Sequence, residues 1–172
     1  MTSVAFGSIP TSLGDVLVAV TESGVVATSL TDSPAARAWI TDRLGQPVVD
    51  DPARCAPAVA ELTSYFAGNL RTFAVPVDFR LMSAAQEQVL GILYRTVHYG
   101  QVVTYGELAR LSATGIPPRG IGSIMGSNPI PIIVPCHRVV AGNNLGGFSA
   151  GEGVESKRRL LTLEGHLPPT LW

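Results

Sequence analysis

Apolar and polar positions along this chain change rhythm near residue 80. Before it the rhythm is that of strands. Val16-Leu17-Val18-Ala19-Val20 and Val25-Val26-Ala27-Thr28-Ser29-Leu30 are runs rich in branched residues, joined by Thr21-Glu22-Ser23-Gly24. A short polar link containing Gly between two such runs signals a hairpin. A first strand over residues 4–9, ahead of a turn at Gly14-Asp15, is expected beside them. Residues 34–44 read as a helix, with Pro34 in its first turn and Gly45 as its stop. Residues 47–57 then form a polar, Pro-bearing connector. A helix over 58–70 carries Val59, Leu62 and Phe66 on one face, and residues 73–79 alternate enough for one more short strand.

After residue 80 the pattern turns helical. Ser83-Ala84-Ala85-Gln86 has the form of a capping box and opens a helix to about His98, striped by Val89, Ile92, Leu93 and Val97. His98, near its C-terminus, reads as a surface residue that complements the helix dipole. Thr104-Tyr105-Gly106-Glu107 is a second capping box and starts a short helix through Leu111. A turn over 112–116 follows, and Pro117-Pro118 opens a third helix that carries Arg119 through Met125. Two short helices across a tight turn resemble a helix-turn-helix. Next come Ser127-Asn128-Pro129, an aliphatic stretch and a glycine-rich loop over 142–153. A last helix over 155–164 bears Lys157-Arg158-Arg159, Leu160, Leu161 and Leu163; Gly165 ends it and Pro168-Pro169 closes the chain.

The expected fold class is thus a small α/β N-terminal domain over 1–79, an antiparallel sheet with helices, in a structural role. A mostly α domain over 80–172 contains the helix-turn-helix. Charge divides in the same place. Residues 1–79 carry four Arg against eight Asp and Glu, whereas 80–172 carry eight Lys and Arg against five. The balance moves from −4 to +3, and the C-terminal half is the one suited to an acidic partner.

Composition excludes several classes. There is no run of ~18 apolar residues to span a membrane, and no basic region followed by an apolar core that would read as a secretory signal. Cys55 and Cys136 are the only cysteines among 172 residues, too few for a disulfide framework, which points to reduced thiols in a cytoplasmic compartment. Cysteines and histidines are too scattered for a structural zinc site, so no metal and no cofactor are expected.

Chemistry concentrates in Ile132-Ile133-Val134-Pro135-Cys136-His137-Arg138-Val139-Val140. Branched residues favour extended chain, and Pro135 fixes φ just before the thiol. A histidine and an arginine beside a cysteine favour the thiolate, its nucleophilic form. Cys55, with no basic cluster around it, reads as incidental. In extended backbone His137 points away from Cys136, so a relay through water to His137, oriented by a carboxylate, is expected. Glu107, Glu152, Glu155 and Glu164 are the candidates, and spacing does not choose among them.

Pro135-Cys136-His137-Arg138-Val139 resembles the signature of the O6-alkylguanine-DNA alkyltransferases, DNA-repair proteins consumed by their own reaction. Val103-Thr104-Tyr105-Gly106-Glu107-Leu108-Ala109 resembles that family's first helix of the helix-turn-helix, and Arg119-Gly120-Ile121-Gly122 its recognition helix. Ser127-Asn128-Pro129-Ile130 resembles its asparagine hinge, and Leu160 to Gly165 its closing helix. The five blocks fall in the family's order over about residues 83–165.

The resemblance implies that Cys136 takes the alkyl group from O6 of guanine irreversibly, served by a water, His137 and Glu164. It implies that Asn128 holds the active-site turn and that Tyr105 and Lys157 assist the departing guanine. Arg119 matches the family's arginine finger, with Gly120 and Gly122 allowing close approach through the minor groove of double-stranded DNA to a flipped base. Met125, Pro131, Val139, Phe148 and Ser149 are implied as the base pocket, in a protein acting as a monomer. Arg138 is expected to be a structural ion-pairing residue.

The chain departs from the family pattern at Pro117-Pro118, at Phe148 where a tyrosine is common, and at Gly126 where some relatives have a basic residue. Competing classes weigh less. A lesion binder without transfer would lack the cysteine, and a Cys-His hydrolase would turn over. A sequence-specific regulator would need a base-reading helix rich in Arg, Asn and Gln.

Overall fold

The computed structural model describes residues 2–168; Pro169, the second of the closing prolines, lies outside them. Two compact units meet at Leu81 and Met82.

The first unit is built on a three-stranded antiparallel sheet in sequence order, β1 (Ala5–Thr11), β2 (Gly14–Thr21) and β3 (Gly24–Ser29). From Val16 onward β2 is buried without interruption, because a helix covers each face. On one face Leu17, Ala19 and Val26 pack with Ile40 of α1 (Pro34–Leu44). On the other, Gly7 lies under α2 (Pro52–Phe66): a Cβ there would stand 2.9 Å from Val59 and 3.3 Å from Cys55. Only glycine lets that helix sit so close.

Three expectations fail in this unit. The second helix starts at Pro52 rather than 58, because Asp51 caps it by accepting from Arg54 N at 3.1 Å. Pro57 therefore lies inside the helix, and Cys55 is a buried helical residue rather than part of a connector. Residues 73–79 form no strand but a single parallel bridge, Val77 to Val25. Pro76 contributes its carbonyl to Val25 N but has no N–H to continue a ladder.

The second unit opens with α3 (Ala84–Thr96), whose capping box between Ser83 and Gln86 is formed as the sequence indicates. Leu90, not Ile92, is buried beside Val89 and Leu93. A two-residue strand β4 (Val103–Thr104) runs straight into α4 (Tyr105–Ser112), capped by Thr104 and Glu107. Ala113 in the left-handed region ends α4, and α5 (Pro118–Gly126) follows across a short turn. Pro117 and Pro118 precede the first helical hydrogen bonds, so neither disrupts the helix. Strand β5 (Val139–Val140) pairs in parallel with β4, Val103 against Val139, and α6 (Val154–Leu163) closes the unit. That pairing brings the start of the helix-turn-helix beside Cys136.

Candidate active site

The chain between α5 and β5 coils instead of extending. Asn128 accepts from Ile130 N and donates to Val134 O, both at 2.9 Å, so one side chain brackets the loop. Ile132 within that loop has φ of 78°, a left-handed conformation that branched side chains resist. Cys136, His137 and Arg138 then form a single 3-10 turn, with Arg138 N bonded to Pro135 O at 2.9 Å. The expected extended presentation of Cys136, with His137 on the opposite face, is thereby corrected. Val134 N bonds to Ile130 O and Cys136 N to Val134 O within this segment, and the extended stretch begins only at Val139.

His137 and Glu164 are both buried, and His137 Nε2 lies 2.7 Å from Glu164 Oε2. Arg138 forks onto the same carboxylate, Nε to Oε1 at 2.8 Å and Nη2 to Oε2 at 3.1 Å, and its Nη1 donates to Val97 O at 2.8 Å. Burial alone would raise the Glu164 pKa; the hydrogen bond from His137 and the charge it carries once protonated in acid, with the hydrogen bonds and charge of Arg138, outweigh it and hold the carboxyl at about 2. Burial first, and then the charges of Arg138 and Lys157, push the His137 pKa down against the pull of Glu164. The imidazole is thus neutral, with its proton on Nε2 facing an acceptor-only carboxylate. Its Nδ1 is buried and has no partner among the described residues. Among the four candidate carboxylates it is Glu164 that holds His137.

Burial raises the Cys136 pKa, opposed by the Asn128 side chain, the Lys157 charge and the backbone N–H groups of Cys136 and His137. The resting group is a thiol. The expectation that adjacent cations make it a thiolate fails because burial outweighs them and Arg138 is committed to Glu164. Lys157 is fully buried and donates through Nζ to Val139 O at 2.6 Å and Gly147 O at 3.0 Å; burial brings its pKa down to about 8. Its ammonium sits 5.8 Å from the centre of the Tyr105 ring. Burial and the nearby Cys136 raise the Tyr105 pKa against a hydrogen bond with the Gly147 backbone, so its hydroxyl keeps its proton at neutral pH.

A cavity of about 380 Å³ opens onto the thiol, lined by Tyr105, Gly122, Met125, Cys136, Phe148 and Ser149, with Gly126 and Gly147 at its edge. Gly146 (φ 73°) crosses Tyr105 so closely that a Cβ would fall 2.7 Å from its hydroxyl oxygen. Arg119 is exposed on α5, and Gly120 packs under Ile116. Pro131 and Val139 do not line the cavity: both are buried, and Val139 is engaged in the β4–β5 pair. His98 is exposed, as its position at the end of α3 implies.

Comparison with known proteins matches residues 84–166 to the 6-O-methylguanine DNA methyltransferase DNA binding domain, and residues 4–79 to the ribonuclease-like domain of the same proteins. The methylated-DNA–protein-cysteine methyltransferase of Mycobacterium tuberculosis is 42% identical over 121 residues, 69% of this chain and 70% of that protein. The chain belongs to the 6-O-methylguanine DNA methyltransferase family. The enzyme of the same name from Metallosphaera sedula is 44% identical over 107 residues, 62% of this chain and 65% of its own length. The crystal structure of Mycobacterium tuberculosis OGT in complex with DNA superposes with a TM-score of 0.77 at 33% identity, covering 94% of this chain and 93% of that one.

Some contacts of this methyltransferase site escape a reading of its sequence. Gln86, recognised only as half of a capping box, also donates to Ser127 O at 3.3 Å and Ser127 Oγ at 2.9 Å, tying α3 to the Asn128 hinge. Arg138 forms the structural ion pair expected of it, and its fork on Glu164 and bond to Val97 O join residues from three elements. An arginine inside an aliphatic run was the available signal, since a buried guanidinium requires an anion.

Proposed function

We infer that this member of the methyltransferase family repairs O6-alkylguanine in double-stranded DNA by moving the alkyl carbon onto Sγ of Cys136, once per molecule. The observation that carries the reading is the buried Nδ1 of His137, without a partner among the described residues, in the turn that also carries Cys136, with Nε2 held by Glu164. In this reading Nδ1 takes the thiol proton through a bridging water, in the manner of general-base catalysis. The sulfur attacks the alkyl carbon as the carbon–O6 bond breaks, and the electron pair passes to guanine. Tyr105 and Lys157 donate toward the departing base, which acquires its proton as it is released. A thioether offers water no ready leaving group, so the protein is spent.

DNA is the partner, and the finer contacts are part of the same proposal. Arg119 fills the space of a base flipped from the minor-groove side. Gly120 and Gly122 keep the surface of α5 low beside it. The base enters the cavity over Met125, Phe148 and Ser149, and Asn128 holds the turn beneath it. The protein acts as a monomer, without metal or cofactor. Its reduced cysteines suit the cytoplasm.

The test is incubation with duplex carrying O6-methylguanine, followed by peptide mass mapping. One methyl per protein on the Cys136 peptide, absent from Cys136→Ala, is expected. Product accumulating beyond the protein concentration would indicate a turning-over hydrolase instead.

A further inference from the structure

We propose that Arg138 is a positioning residue for alkyl transfer: its fork on Glu164 leaves that carboxylate free to orient His137 without protonating it. The proposal rests on the reading of Cys136 as alkyl acceptor and adds a requirement to it. A carboxylate 2.7 Å from a buried imidazole stabilises the imidazolium strongly, because charges in a poorly solvated interior interact at short range with little screening. An imidazolium carries protons on both nitrogens and cannot accept one from the thiol. Something must offset the anion.

Arg138 provides the offset in a fixed place. Both of its prongs end on Glu164, and Nη1 is anchored on Val97 O at the end of α3. Its guanidinium carbon lies 5.9 Å from the centre of the Tyr99 ring, and the Tyr99 hydroxyl donates to Leu163 O at 3.1 Å, beside Glu164. The charged or titratable groups facing His137 are therefore Glu164 and Lys157 from the end and middle of α6, and Cys136 and Arg138 from its own turn. Among these Glu164 favours a proton on His137, whereas Arg138 and Lys157 oppose it. Lys157 gives its hydrogen bonds to two carbonyls, whereas both prongs of Arg138 end on Glu164, so Arg138 is the cation fixed on that carboxylate.

The experiment is the pH dependence of single-turnover methyl transfer in the wild type, Arg138→Met, Arg138→Lys, Glu164→Gln and the Arg138→Met/Glu164→Gln double variant, with folding checked by thermal melting. Arg138→Met should move the acid limb upward by about one pH unit, an approximately tenfold slower reaction on that limb, with rates converging above it. Arg138→Lys should return the limb toward the wild-type position, since it restores the charge without the fork. If Arg138→Met does not fold, the two Glu164→Gln proteins decide. With the anion removed from both, the one that keeps Arg138 should have the lower limb.

A uniform fall in rate with an unmoved limb would mean that Arg138 is merely structural and would overturn the proposal, as would coincident limbs in the two Glu164→Gln proteins. Absence of methyl on Cys136 in the wild type is a separate result: it defeats the acceptor reading itself.

Discussion

His137 and Glu164 stand 27 residues apart in sequence and 2.7 Å apart in space, with both side chains removed from solvent. A histidine that follows a cysteine directly is thus made useful by the residue that ends the last helix. The pair binds one ring nitrogen to an anion and leaves the other without a partner among the described residues.

That relationship makes folding sensitive to acid. Glu164 titrates at about 2 in the fold against 4.5 ordinarily, so its contribution is fully present above 4.5 and disappears as pH falls toward 2. His137, whose pKa is also lowered, adds a loss that begins as pH drops below 6.5. Unfolding free energy measured against pH should fall by ~3 kcal/mol over the Glu164 range. In Glu164→Gln that portion of the slope should vanish.

Asn128→Ala removes two backbone partners, Ile130 N and Val134 O, from a loop that also holds Ile132 in a left-handed conformation. A loss of ~1–3 kcal/mol in urea unfolding is expected from the exposed pairing needs alone. Methyl transfer should slow as well, because the same loop sets the position of Cys136. Unchanged transfer in a destabilised variant would separate the two roles.

Gly146→Ala should slow transfer and lower stability by the strain it introduces. The new Cβ would meet the Tyr105 hydroxyl at 2.7 Å, and the backbone there is left-handed. Either the loop or Tyr105 must move, with strain of ~1–3 kcal/mol. Reaction with free O6-benzylguanine reads out the cavity directly, and a wild-type rate would show that the loop shift is harmless.

Arg119→Ala concerns DNA rather than chemistry. Arg119 is solvent-exposed, and stability should change by no more than about 0.5 kcal/mol. Repair of O6-methylguanine in duplex should weaken more than transfer from free O6-benzylguanine. Equal losses on both substrates would remove the proposed finger role.

Legibility in the sequence followed the range of the interactions. The first helix, with Pro34 and Gly45 at its ends, and the capping boxes at Ser83 and Thr104 depend on contacts within four residues and were readable. The start of α2 was not, because two prolines and Asp51 look like a connector until Asp51 is seen capping Arg54 N. Around the thiol, branched residues argued for extension, yet Asn128 coils the loop by bonding across it. The choice of Glu164 came from family resemblance. Local spacing could not supply it, since the contact that selects this carboxylate joins separate elements.

Glu164, as the capping residue of α6, is also made after the turn that it binds. Chains are made from the N-terminus, so His137 exists before the carboxylate that binds it. Until α6 is complete, His137 lacks its anchor and Arg138 its anion.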